Sequence, residues 1–106
     1  MAKFLLSSTY TIEGLKGLDK DGGSVRSEIV RSLVENLGGQ VDAFYFAFGE
    51  FDTYVICELP DHVTAAAIAI TVRATGAVNL QVTPLLTPEQ VDAATRTTMT
   101  YQPPGR

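Results

Sequence analysis

The chain has 106 residues, of which 45 % are hydrophobic and 19 % are charged, and its formal net charge at pH 7 is −4. This length and composition argue against two domains or a disordered chain, and predict one domain over residues 1–106 with a loosely ordered tail at about 96–106. The acidic balance and the scattered Lys and Arg residues argue against nucleic-acid binding, which needs a basic surface to neutralise phosphates.

The first segment of the chain alternates in polarity and predicts a strand over residues 3–11. Residues 12–21 follow, and they contain Gly14 and Gly17, each of which weakens a helix by about 1 kcal/mol relative to Ala. This second segment is therefore either a short helix or a loop that closes over a site as a lid. One face of the predicted strand consists of Phe4, Leu6, Ser8 and Tyr10.

A longer helix is predicted after Gly22-Gly23, with Ser24 as its N-cap and Gly38-Gly39 as its C-terminal stop. Its apolar face recurs at helical spacing and consists of Val25, Ile29, Val30, Leu33, Val34 and Leu37. The outer face is expected to carry the charged residues Arg26, Glu28, Arg31 and Glu35.

Two further strands are predicted over residues 40–48 and 53–59, joined by a hairpin connection at 49–52. Strict alternation along the first of these strands places Val41, Ala43, Tyr45 and Ala47 opposite Asp42, Phe44, Phe46 and Phe48.

The last third of the chain predicts a helix, a strand and a short terminal helix. Asp61 caps a helix over about residues 62–75, which Gly76 ends, and residues 77–83 alternate as a strand. Thr87-Pro88-Glu89-Gln90 is a capping box with Pro at the first helical position, and therefore predicts the terminal helix.

This order of elements predicts a ferredoxin-like α+β sandwich, βαββαβ with an extra C-terminal helix. Both crossover helices cover the same face of the sheet, so the other face carries either the Phe44 row or the Tyr45 row of the second strand. A monomer rarely exposes an apolar patch of that size. We therefore expect a homodimer or a larger homo-oligomer that packs through the sheet.

The segments Gly49-Glu50-Phe51-Asp52 and Leu59-Pro60-Asp61, together with others in the same order, resemble the GYD-domain family, and the resemblance spans roughly residues 1–95. The family's Gly-Tyr-Asp signature corresponds most closely to Gly49-Glu50-Phe51-Asp52, where Phe51 stands at the aromatic place and Glu50 is an extra residue, so the tyrosine hydroxyl is missing. The other segments that fit the pattern are Met1-Ala2-Lys3-Phe4-Leu5-Leu6, Gly38-Gly39, Ala43-Phe44-Tyr45-Phe46-Ala47-Phe48-Gly49, Leu59-Pro60-Asp61 and Thr83-Pro84-Leu85-Leu86-Thr87-Pro88-Glu89.

The resemblance implies a relative of the dimeric α/β-barrel proteins and brings no established reaction. Some members of that larger group are cofactor-free monooxygenases, small-molecule isomerases or haem-degrading proteins. The comparison with them rests on the fold alone, and one fold hosts many functions. Two functions remain open for this chain. The first is a small oligomeric module that binds a small ligand. The second is a cofactor-independent enzyme, monooxygenase- or isomerase-like, whose Tyr and Asp groups move a proton on a small organic substrate.

The candidate catalytic residues are Asp52, Glu50 and Tyr45. Asp52 and Glu50 are two residues apart at the start of the third strand, and close carboxylates can share a proton or bind a cation. The alternative for Asp52 is a turn residue that bonds its own backbone.

The candidate ligand-binding residues are Ser8, Tyr10, Tyr54 and Glu58. Tyr10, Tyr45 and Tyr54 come from three strands and could line one cavity with phenolic donors, or fill the core or a dimer interface. Glu58 shares a face with Tyr54, and needs a partner such as Arg73 or a Lys if that face is buried.

The sequence gives weaker evidence for a catalytic or binding role of the remaining reactive residues. His62 is expected to be exposed at a helix start, and Cys57 is expected to be a buried, inert thiol. The Gly22-Gly23-Ser24 step lacks the spacing of a phosphate loop. No His or Cys pair has ligand spacing, so we expect neither a metal nor a cofactor.

No apolar run is long enough for a membrane span, and the N-terminal residues turn polar at Ser7-Ser8 before a signal-peptide core could form. A single cysteine fits a reducing compartment. We expect a cytoplasmic protein whose partners are its own copies and a small molecule, with neither membrane nor nucleic acid.

Overall fold

The computed structural model describes residues 1–106 as one sheet of four strands with four helices. The elements in chain order are β1 Ala2–Tyr10, α1 Ile12–Asp21, α2 Gly23–Asn36, β2 Gln40–Phe46, β3 Thr53–Leu59, α3 His62–Ala74, β4 Val78–Leu85 and α4 Pro88–Thr95. The sheet order is β2-β3-β1-β4, and every neighbouring pair is antiparallel. The predicted α+β class is confirmed. No helix has the length and apolar character that crossing a membrane requires.

The segment after β1 is a helix rather than a loop, because its first turn is held against the start of β4. The Thr11 side chain accepts a hydrogen bond from the Gly14 N–H, and the Thr11 N–H donates to the Ala77 carbonyl at 3.0 Å. A Cβ at Gly14 would lie 2.1 Å from the Ala77 oxygen, so only glycine lets α1 lie this close to the chain entering β4. These contacts offset the low helix propensity of the segment.

The start of α2 differs from the prediction, whereas its end agrees. Gly22 is the N-cap and makes no side-chain hydrogen bond, so Ser24 lies inside the helix instead of capping it. At the other end the Gly38 N–H bonds to Glu35 O and the Gly39 N–H to Val34 O, both at 3.0 Å. This is a Schellman motif, and Gly38 has the positive φ, +86°, that the motif requires.

The orientation of α2 also differs from the prediction. Only Val34 of the helix is fully buried, and the line of residues one turn apart that faces the sheet is Arg26, Val30 and Val34. The apolar side chains Val25, Ile29 and Leu33 remain between 37 and 49 % exposed. Arg26 is half-buried instead of lying on the outer face, because a residue four positions before Val30 must share its side of the helix.

A β-bulge at Asp42 changes which residues of β2 face the helices. Val41 pairs with Cys57 whereas Ala43 pairs with Ile56, so Asp42 has no partner in the ladder. Strict alternation predicts one face for Val41, Ala43 and Tyr45; this is wrong for Val41, whereas Ala43 and Tyr45 do share a face. After the bulge, Phe44 and Phe46 follow Val41 on the face that packs against the helices.

The core is small and lies between one face of the sheet and the helices α2 and α3. Of 106 residues 14 are buried, and the largest fully buried side chains are Phe4, Leu59, Val34 and Cys57. The other face of the sheet has no covering element, and we call it the open face. Leu5 and Ile56 are half-buried there, and Tyr45 is 69 % exposed.

The elements of the last third agree with the sequence. Asp61 accepts a hydrogen bond from the Thr64 N–H at 2.8 Å, and Gly76 has a φ of +77° after α3. β4 continues through Pro84, which an edge strand tolerates. The capping box of α4 is complete, because Thr87 and Gln90 bond each other's backbone N–H groups.

Candidate functional site

A cavity in two parts lies on the helix-covered side of the sheet, and we call it the helix-side cavity. Its outer part, about 270 Å³, is bounded by α1, α3 and the start of β4. Its inner part, about 70 Å³, lies over the sheet beneath α2 and α3. Both parts are lined by Tyr10, Arg26, Val72 and Val78, which therefore stand where the two meet.

The inner part is almost wholly apolar. Its polar lining is limited to Ser8 and Thr53, whose buried hydroxyls bond each other, and to Tyr10 and Arg26. Because Ser8 and Thr53 already satisfy each other, they do not demand a ligand. The apolar walls are formed by Leu6, Ile29, Val30, Leu33, Val34, Phe44, Val55, Ile68, Val72, Val78 and Leu80.

The outer part is lined by both polar and apolar residues, and α1 turns its two glycines towards it. Gly14 and Gly17 lie one turn apart on the lining face of this helix and leave room above the sheet. Glu13 and Asp21, both exposed, line the same part and make its rim acidic.

Tyr10 keeps its proton at neutral pH, because its pKa is raised, so its hydroxyl can donate a hydrogen bond. Burial is the main cause that raises the pKa of Tyr10 above its ordinary value of 10.0, and the nearby Asp52 carboxylate adds to the effect. The charge and hydrogen-bonding capacity of the Arg26 guanidinium act in the opposite direction.

Arg26 is the cationic group of the helix-side cavity. The structure contains one ion pair, Lys3 with Asp42, so no carboxylate neutralises the Arg26 guanidinium within 4 Å. Sequence reasoning assigned this residue to the outer face and missed it. The signal that could have found it is its spacing of four from Val30 and eight from Val34.

Asp52, the first candidate catalytic residue, fastens the end of β1. Its carboxylate accepts a hydrogen bond from the Tyr10 N–H at 2.7 Å, and its own N–H donates to the Ser8 carbonyl at 2.7 Å. Asp52 thus holds in place Ser8 and Tyr10, two of the β1 residues that line the inner part. Glu50 is exposed in the β2–β3 connection.

The predicted binding residues lie on two sides of the sheet. Ser8 and Tyr10 share one face of β1, as its alternation predicts, and both line the helix-side cavity. Tyr45 and Tyr54 pair across β2 and β3 on the open face, so the three tyrosines do not line one cavity. Glu58 is on the open face as well; its partners are Gln40, whose Nε2 donates at 2.7 Å, and the facing Lys3, and not Arg73.

The remaining reactive residues are in structural positions. His62 is exposed, and its ring packs edge-on against Phe4 with the centroids 5.4 Å apart. Cys57 is fully buried, and burial raises the pKa of its thiol to about 11, which leaves little nucleophilic thiolate. No three His, Cys, Asp or Glu side chains are grouped so that they could hold a metal ion.

Comparison with known proteins gives one family. The family model described as GYD domain matches residues 4–95. No curated protein and no solved structure matches the chain.

Proposed function

The chain belongs to the GYD-domain family, and we propose that it is a binding module whose ligand, a small amphipathic organic monoanion, occupies the helix-side cavity. The observation that carries this proposal is Arg26, a half-buried cation without a carboxylate partner, which lies where the apolar inner part meets the mixed outer part.

The chemistry of the lining selects the ligand class. A guanidinium binds a carboxylate through two parallel charge-assisted hydrogen bonds, and the neutral Tyr10 hydroxyl can add a third. The apolar part of the ligand enters the inner part, whose 70 Å³ takes only a short chain. Small-molecule sites are commonly built this way, with apolar walls and few polar groups.

The acidic rim restricts the ligand further. Glu13 and Asp21 line the outer part, so a second negative charge on the ligand would be repelled there. A monocarboxylate fits better than a phosphate ester or a dicarboxylate.

The alternative function is a cofactor-independent enzyme of the dimeric α/β-barrel type. Its best support is the contact of Asp52 with Tyr10 beside the cavity. However, the Asp52 carboxylate is engaged with a backbone N–H, and the raised pKa of Tyr10 disfavours a phenolate base. These observations favour binding over catalysis.

We further propose a ferredoxin-like arrangement of the sheet and helices, a homodimeric assembly and a cytoplasmic location. The sheet order β2-β3-β1-β4 supports a ferredoxin-like arrangement, and the open face with Leu5, Ile56 and Tyr45 supports a homodimer that packs through the sheet. A cytoplasmic location is supported only by the single unpaired cysteine.

Isothermal titration calorimetry with hexanoate tests the proposed function. We expect saturable binding that the uncharged 1-hexanol does not reproduce. Arg26→Gln should weaken binding by about tenfold or more, because a hydrogen bond to a charged group contributes about 1.5–3 kcal/mol. Arg73→Gln, an exposed arginine on α3, is the matched control and should bind normally. Equal binding by the Arg26→Gln and Arg73→Gln variants, or equal binding of hexanoate and hexanol, would contradict the proposal.

A further inference from the structure

The chain has more surface and a greater spread than a self-contained fold of its size. Its accessible surface is 7204 Å², whereas a monomeric protein of 11.4 kDa exposes about 5,800 Å². Its radius of gyration is 17.0 Å, compared with about 13 Å for a compact chain of 106 residues. The longest dimension is 57 Å, against 33 and 23 Å for the other two. Part of the chain therefore extends from the body.

The helix α4 makes no substantial contact with any other element, and we call residues 86–106 the C-terminal arm. None of the residues of α4 is buried. The large apolar side chains of the arm are between 46 and 75 % exposed, and they are Leu86, Val91, Met99 and Tyr101. Such side chains on a segment with no core of its own indicate a surface that another molecule covers.

The sequence of the arm specifies a helix that cannot be stable on its own. α4 has eight residues, and isolated helices shorter than about 12–15 residues are marginal in water. Its complete capping box defines where the helix begins but does not replace tertiary packing. The helix therefore needs a partner surface.

We propose that the arm of each chain packs on a second copy of the chain, so that the dimer is joined by exchanged arms. This inference rests on the homodimer of the proposed function and adds what holds it together. The open face and its margin supply an uncovered apolar surface, with Leu5, Ile56 and Tyr45. In a two-fold dimer each arm contact occurs twice, which doubles its contribution.

The area agrees with this arrangement. The surface exceeds that of a compact monomer by about 1,400 Å², and a standard interface buries about 800 Å² on each partner. A second copy of the chain would cover both the exposed arm and the open face, because it brings its own open face and its own arm.

Photo-crosslinking of the full chain tests the exchange directly. p-Benzoylphenylalanine replaces Met99, and equal amounts of ¹⁴N- and ¹⁵N-labelled chains are mixed, unfolded and refolded before irradiation. We expect covalent dimers with crosslinked peptides of mixed isotope, joining the arm to the partner chain. Crosslinks confined to one chain would overturn the exchange.

Sedimentation equilibrium of arm variants provides the second measurement. Val91→Asp with Met99→Asp should raise the dimer dissociation constant by about tenfold or more, since buried apolar area is lost. Thr98→Asp with Thr100→Asp adds the same charge next to Met99 and should leave the dissociation constant unchanged. A wild-type chain that is monomeric throughout would overturn the proposed homodimer and the exchange together. A wild-type dimer that the Val91→Asp/Met99→Asp variant forms equally well would overturn the exchange alone.

Discussion

The carboxylate of Asp52 accepts a hydrogen bond from the backbone N–H of Tyr10, with 2.7 Å between oxygen and nitrogen. A second hydrogen bond joins the same two segments, because the Asp52 N–H donates to the carbonyl of Ser8. The aspartate of the segment that resembles the family signature thus joins the β2–β3 connection to the end of β1. By doing so it sets the positions of Ser8 and Tyr10 in the helix-side cavity.

Removing this carboxylate should destabilise the fold rather than abolish a reaction. Asp52→Ala leaves the Tyr10 N–H without its partner, and we expect a loss of about 1.5–3 kcal/mol in the free energy of unfolding. Asp52→Asn keeps an acceptor oxygen and should lose less. Urea denaturation measures both, with Asp19→Ala, an exposed residue of α1, as the control. An Asp52→Ala variant as stable as the control would show that the hydrogen bond between Asp52 and Tyr10 does not stabilise the fold.

Gly14 and Gly17 should respond in opposite ways to the same substitution. Gly14→Ala introduces a methyl group that the Ala77 carbonyl does not admit, so α1 must shift and the protein should lose stability. Gly17→Ala meets no atom within 4 Å and should stabilise the helix by about 0.5–1 kcal/mol. Chemical denaturation of the two variants makes the comparison. Equal effects of the two substitutions would contradict the close approach of α1 to β4.

The N-cap of α3 should contribute to the acid sensitivity of the fold. Hydrogen bonds from the backbone and side chain of Thr64 hold the pKa of Asp61 below its ordinary value of 3.8. A carboxyl with a lowered folded pKa stabilises fully above its unfolded pKa, and this stabilisation is lost as the pH falls through the folded value.

Asp61→Asn keeps a capping oxygen but cannot titrate, so the unfolding free energy should depend less on pH below about 4. Asp61→Ala should lose stability at neutral pH as well. Both effects can be read from urea midpoints between pH 2.5 and 7. An unchanged pH profile for Asp61→Asn would rule out this contribution.

Cys57 should be inert until the chain unfolds. The side chain is fully buried, so Ellman's reagent cannot reach it. The pKa of the thiol is raised to about 11, so little reactive thiolate is present at pH 8. We expect slow labelling in buffer and rapid labelling in concentrated urea. Rapid labelling of the native protein would contradict the placement of this residue in the core.

The sequence predicts the elements well where the signal is local. The capping residues Asp61 and Thr87 and the terminating glycines Gly38 and Gly76 satisfy backbone groups within a few residues, so their effect can be predicted without the tertiary structure. The family resemblance likewise agrees with the matched range of residues 4–95.

The site was harder to predict, because it depends on how elements rotate against one another. The bulge at Asp42 places Val41 on the face of β2 opposite to the one that strict alternation predicts. No residue type in this strand indicates that a bulge is present. The charge of Arg26 predicts an outer position, although the residue shares one side of α2 with Val30 and Val34. Tyr10 and Tyr54 were grouped by residue type, and the sheet separates them.

Intermolecular nuclear Overhauser effects between hexanoate and the ¹³C,¹⁵N-labelled protein test the central claim most directly. We expect contacts from the hexanoate methyl group to Val72 and Ile68 in the inner part, together with shifted resonances of Tyr10 and Arg26. The Arg26→Gln variant should lose these contacts at the same ligand concentration. Contacts that lie only on the open face, or that persist unchanged in the Arg26→Gln variant, would contradict a ligand site in the helix-side cavity.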